Sequence, residues 1–225
     1  MNRALSQMIG LSTYVPALAL PTLSYLRCTR CGDSLCSGAG NRQIPASRRE
    51  DQLMAKLDAQ LLSLSVRAYE RLVAQVLQAC GYEDVRILRD HLKARKSHKG
   101  RTGHGGVDLR AKLRGEFGDT EVIVQAKQYE RPVSRRFVDE LRGAMIRSRA
   151  REGLLITTST FPPAAREAAL EDHLAPVRLL DGSQLKALLM ERRIGVKRNR
   201  RGRLVIRRRF FSRLEAVPPH ATISA

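Results

Sequence analysis

The segment Gly153-Leu154-Leu155-Ile156-Thr157-Thr158 carries apolar side chains on consecutive positions, without apolar–polar alternation. A strand with one wet face alternates, so this run predicts a strand buried on both faces, which in turn requires helices on both sides of its sheet. The flanking segments supply such helices. Tyr69, Leu72, Val73, Val76, Leu77 and Cys80 recur at helical spacing and end at Gly81, a C-terminal cap residue. Phe137, Val138, Leu141, Ala144 and Met145 form a second helical stripe after Pro132. Pro162 and Pro163 suit the first turn of a third helix running to about His173, and Asp181 with Gln184 three residues on predicts a capping box for a fourth.

Strands are expected at 84–88, 107–113, 121–127, 153–158 and 177–180, the second and third joined as a hairpin by a turn holding Gly115 and Gly118. The order is α-β-β-β-α-β-α-β-α, an α/β fold with a central mixed β-sheet flanked by helices. Residues 1–60 read as a poorly ordered extension, 61–196 as the globular domain and 197–225 as a basic tail. Arg192 to Leu214 holds ten Arg plus Lys197 and no acid.

The chain has 41 Lys and Arg against 22 Asp and Glu, a formal charge of +19, which points to a polyanionic partner. The charge falls in loops and the tail rather than on an amphipathic basic helix, so nucleic acid is expected and membrane is not. Trp is absent and aromatics make up 4%, which argues against a single-strand binder built on base stacking and for duplex bound through its backbone. The apolar stretch Val15–Leu26 is broken by Pro16 and Pro21 and is too short to span a bilayer.

Cys28, Cys31 and Cys36 cluster while Cys80 stands apart, so no secreted disulfide framework is implied and a cytoplasmic setting is expected. The three clustered cysteines fall one ligand short of a structural zinc site. His91, His98 and His104 lie in a basic loop without a cysteine partner, and zinc is not expected there either. That loop, 89–106, contributes Lys93, Arg95, Lys96, Lys99 and Arg101 as expected phosphate contacts, with Gln128 as a further DNA contact.

Candidate chemistry lies on the predicted hairpin. Residues two apart on a strand share a face, so Gln125 and Lys127 point the same way, and Asp108 reaches that face from the neighbouring strand. Glu70 falls at the border of the first helix's apolar stripe, where its carboxylate can lean over the sheet. A carboxylate, an amide and an ammonium so placed are what metal-dependent phosphodiester cleavage needs.

These residues sit in a longer series: Tyr69-Glu70, Gly81-Tyr82, Gly105-Gly106-Val107-Asp108-Leu109, Val124-Gln125-Ala126-Lys127-Gln128-Tyr129, Val138-Asp139-Glu140-Leu141-Arg142-Gly143-Ala144 and Thr157-Thr158-Ser159-Thr160-Phe161. It continues through Ala164 and Ala165 to Asp181-Gly182-Ser183-Gln184-Leu185 and Ile194-Gly195-Val196. In this the sequence resembles the Mrr-type restriction endonuclease catalytic domain, in the PD-(D/E)xK nuclease superfamily, over residues 66 to 196.

The resemblance implies a restriction-endonuclease-like core that cleaves DNA with Mg²⁺, or Mn²⁺ in its place, and possible methylation dependence. It makes Asp108 a metal ligand and Lys127 the support of the attacking water, with Gln125 in place of the usual second acid and Glu70 the helix-borne Glu. Gln125 removes one negative charge from the metal site, and Glu70 compensates. The sequence departs from the pattern where Arg207-Arg208-Arg209, instead of an acidic residue, precede Phe210-Phe211. Double-strand cutting would call for a homodimer. The competing expectations are a nucleic-acid-binding protein that keeps the fold without turnover, and a small basic RNA-binding protein.

Overall fold

The computed structural model describes residues 46–88, 106–115, 118–171 and 175–216, all within the unit Ile44–Ala225. Thirteen elements follow in chain order: α1 (Ala46–Leu62), α2 (Val66–Ala79), β1 (Tyr82–Ile87), β2 (Leu109–Leu113), β3 (Thr120–Lys127), α3 (Arg135–Ser148), β4 (Glu152–Thr157), α4 (Pro163–Leu170), β5 (Val177–Leu180), α5 (Gly182–Glu191), β6 (Val196–Arg198), β7 (Leu204–Ile206) and α6 (Arg208–Ala216). From α2 to α5 this is the α-β-β-β-α-β-α-β-α order expected from the patterning.

Five strands form one sheet in the order β1-β2-β3-β4-β5. β1, β2 and β3 run antiparallel, whereas β3, β4 and β5 run parallel, so the sheet is mixed. β4 is buried from Gly153 to Thr157, as its unbroken apolar run requires. On one face Ile123 of β3, Leu155 of β4 and Val177 of β5 pack with Val138, Leu141 and Met145 of α3 and Ala165 and Ala168 of α4. Gly153 admits α3 closely, since a Cβ there would stand 2.7 Å from Met145 Sδ.

Local signals fix the helix ends. Ser65 caps α2 by accepting from the Ala68 amide at 3.2 Å, and Gly81 follows its end at φ +89. Asp181 and Gln184 close the capping box of α5 in both directions, each bond 3.0 Å.

Two expectations are corrected. Residues 46–60 are not irregular: Leu53, Leu57 and Leu61 lie one above another on α1 and are buried, and Asp58 accepts from Lys186 of α5 at 2.5 Å. The chain from 197 to 216 is not a tail either, because β6 and β7 pair as a hairpin and α6 docks on α2 through buried Phe211 and Leu214. Arg71 of α2 donates to Leu214 O at 2.7 Å, and Glu215 accepts from both Ser65 N and Ser65 Oγ at 2.7 Å.

Leu57→Ala therefore creates a cavity at a fully buried position, expected to cost about 2–5 kcal/mol, read as a lower urea midpoint. An unchanged midpoint would show that α1 is dispensable to the folded body. Residues 1–45, with the cysteine cluster and its zinc question, lie outside the described residues. Among the described residues no helix is long and apolar enough to cross a membrane.

Candidate active site

The β2–β3 hairpin pairs Leu109 with Val124, which sets Asp108 one step beyond that pair, at the mouth of β2. Its backbone N–H donates to Val124 O at 2.9 Å, and its carbonyl accepts from Leu88 N at 2.8 Å. The side chain is fixed as well: Oδ2 accepts from the Ala126 amide at 2.8 Å, a charge-assisted bond at the residue between Gln125 and Lys127. Asp108 is buried at 7% exposure, with its carboxylate held against the Gln125–Lys127 segment.

Gln125 is 1% exposed, and its Oε1 has no hydrogen-bond partner among the described residues. Its amide fills the space above Gly106, where a Cβ would collide with Nε2. Gly106 also holds φ +84, so two separate constraints call for glycine there. Lys127, two residues on, shares the Gln125 face; its Nζ lies 5.3 Å from the Phe137 ring centroid on α3. Tyr129 meets the same ring edge-on at 5.8 Å. Asp108, Gln125 and Lys127 are thus gathered at one end of the hairpin.

Glu70 is 3% exposed on α2, the helix that packs on β1, β2 and β3. The neighbouring Tyr69 lies within electrostatic reach of Asp108. Its hydroxyl is buried with no hydrogen-bond partner among the described residues, and desolvation, with the Asp108 carboxylate adding to it, pushes the phenol far above its ordinary range. Among the described residues no three His, Cys, Asp or Glu side chains form a metal cluster, so any ion held here relies on amide and backbone oxygens beside its carboxylates.

Gln128, expected at DNA, points elsewhere. Its Nε2 donates to Leu61 O and Leu64 O, each at 2.7 Å, and to Leu62 O at 3.2 Å, which makes it a cap for the C-terminal end of α1. The other expected DNA contacts, Lys93, Arg95, Lys96, Lys99 and Arg101, lie outside the described residues, as do His91, His98 and His104. The sequence patterns assign no part to Phe137 beyond the α3 stripe, nor to the Tyr69 phenol. Phe137 lies one position before the most buried column of that stripe, which is the available hint of a ring turned toward the sheet end.

Residues 61–189 match the family model described as a restriction endonuclease, the Mrr catalytic domain, and the chain belongs to that family. A curated relative, the type IV methyl-directed restriction enzyme EcoKMrr of Escherichia coli (strain K12), is 35% identical over 136 residues. The match takes in 60% of this chain and 41% of that enzyme, so the chain spans less than half of its relative's length. Among solved structures, the MspJI restriction endonuclease in complex with a 27-mer oligonucleotide is 23% identical at TM-score 0.42, covering 69% of this chain and 35% of that one. The DNA modification-dependent restriction endonuclease AspBHI is 19% identical at TM-score 0.49, covering 83% and 43%.

Proposed function

We propose that this protein is a divalent-metal-dependent endonuclease that hydrolyses DNA phosphodiester bonds in response to base modification. The observation that carries this reading is the Gln125 amide oxygen, buried and unpartnered among the described residues, on the same strand face as Lys127 and one residue before Ala126, whose amide holds the Asp108 carboxylate. A buried polar atom without a partner costs about 1–3 kcal/mol, a cost that an ion would remove. The donors are all hard oxygens, which suits Mg²⁺ or Mn²⁺ better than zinc.

Asp108 and Gln125, with the Ala126 carbonyl and Glu70, would hold the ion. When bound, it would acidify a coordinated water and offset the charge that develops on the phosphate. Lys127 supplies the remaining function. Its ammonium, seated against Phe137 and half-buried, points the attacking water at phosphorus and takes up part of the developing negative charge. Asp108 is held by the Ala126 amide, so the carboxylate need not reorganise as the reaction proceeds.

Supercoiled plasmid grown with and without cytosine or adenine methylation tests this reading. Nicked product is expected with Mg²⁺ or Mn²⁺ and not with EDTA, and more of it from methylated plasmid. Equal cutting by Asp108→Ala would remove the catalytic assignment. Conversion of nicked to linear product that rises with protein concentration would support paired chains cutting the two strands.

A further inference from the structure

We infer that the β6–β7 hairpin and the first turn of α6 form an ordered, sequence-independent phosphate-binding arm that holds duplex DNA in fixed register with α2; this rests on DNA being the substrate. All eleven Lys and Arg side chains from Arg192 to Arg213 are exposed. Among the described residues one of them has an acidic partner, Arg192 with Glu191 at 3.5 Å. Arginines of the sheet and of α3 include paired ones, as in Arg110–Glu121 at 2.9 Å, Arg136–Glu140 at 2.7 Å and Arg178–Glu152 at 3.1 Å, whereas those without an acidic partner among the described residues, such as Arg147 and Arg151, are not gathered on one hairpin. The acid within α6, Glu215, is bonded to Ser65 and unavailable to its neighbours. So dense an unneutralised charge repels itself, and its natural complement is a polyanion, whose condensed counterions these cations would displace.

The charges stand on a built frame. Val196 pairs with Ile206, Lys197 with Val205 and Arg198 with Leu204. The tip is closed by Asn199, whose Oδ1 accepts from Arg201 N and Arg203 N at 3.0 Å while its backbone N–H donates to Arg203 O at 2.8 Å. Gly202 takes φ +71 to complete the turn. At the base, Gly195 lies under Phe210 and Phe211, and Arg207 N donates to Gly195 O at 2.8 Å.

An open groove of 990 Å³ runs between α1 and the hairpin, its walls carrying four basic side chains, Lys56, Arg198, Arg203 and Arg208, against one acid, Glu50. A two-stranded ribbon fits the major groove of B-DNA, about 12 Å wide. The arm offers no exposed ring for base stacking, since Phe211 is buried and Phe210 partly so, which selects duplex over single strands. Through Arg71–Leu214 and Ser65–Glu215 the arm is locked to the helix that carries Tyr69 and Glu70.

The test is binding of a fluorescein-labelled DNA duplex by the full chain in EDTA, where nothing is cut, over a series of NaCl concentrations. Arg200→Gln with Arg201→Gln is expected to lower the slope of log affinity against log salt by about 2, near 0.9 for each phosphate that is no longer neutralised. A charge-matched control, Arg147→Gln in the last turn of α3 with Arg151→Gln just before β4, is expected to keep the wild-type slope. Equal reduction in both doubles, no reduction in either, or tighter binding to duplex RNA would overturn the arm. The nuclease reading fails separately: Asp108→Ala is expected to keep the wild-type salt slope and lose plasmid nicking. Retained nicking by that variant would overturn the catalytic site and leave the arm standing.

Discussion

Lys127→Ala is expected to slow phosphodiester cleavage by at least ~100-fold while leaving the protein folded, since a positioned proton-transfer or charge-bearing group typically contributes about 10²–10⁴ in rate. A 100-fold loss is about 2.7 kcal/mol of transition-state stabilisation. The structural contribution of the same side chain is smaller. Lys127 is half-buried and its one described side-chain partner is the Phe137 face, a cation–π contact worth about 0.5–1 kcal/mol.

Rate and stability therefore separate by a factor that thermal melting and single-turnover cleavage can resolve side by side. Lys127→Arg keeps the charge and the stacking on Phe137 but not the compact ammonium, and it is expected to keep stability and remain far below wild type in rate. A Lys127→Ala protein that cuts at the wild-type rate would end the assignment.

Gly106→Ala is the second large effect, and it falls on stability and rate together. A side chain at φ +84 costs about 1–2 kcal/mol. The new Cβ would also drive into the Gln125 amide, which is 1% exposed and has nowhere to retreat, adding about 1–3 kcal/mol of overpacking. The displaced amide takes its oxygen away from the site, and a shift of about 1 Å in a positioned group can lower the rate ~100-fold.

The pair Gly106→Ala with Gln125→Ala is expected to recover the packing share of the stability loss and none of the activity. Denaturant midpoints of the two singles and the double, with nicking rates beside them, check this. Wild-type stability in Gly106→Ala would mean that the amide is not held against residue 106.

The core from α2 to α5 was legible because each element carries its own period: the helical stripe ending at Leu77, the unbroken run at β4, and the Asp181–Gln184 box that closes in both directions. The proximity of Asp108 to the Gln125–Lys127 segment was legible too, since a short turn fixes hairpin register and register fixes faces. α1 escaped because its apolar stripe is a single column, Leu53-Leu57-Leu61, set among charges and preceded by Gly- and Pro-rich sequence. α6 escaped because Phe211 and Leu214 give one turn of periodicity inside an arginine run, and charge runs usually mark solvated chain. Gln128 could not be read at all. Its partners lie 64 to 67 residues away, and no local pattern encodes them.

That last contact has a practical reach. Gln128 follows Lys127 directly, so the end of β3 that presents the ammonium is tied to the carbonyls where α1 stops. The family match begins at residue 61, inside the last turn of that helix. A fragment cut at the family boundary would keep every residue of the hairpin site and lose the column that Leu61 and Leu64 extend. The carbonyls that brace the strand carrying Lys127 fall just inside the shared segment, while most of the helix that positions them, residues 46–60, lies outside it.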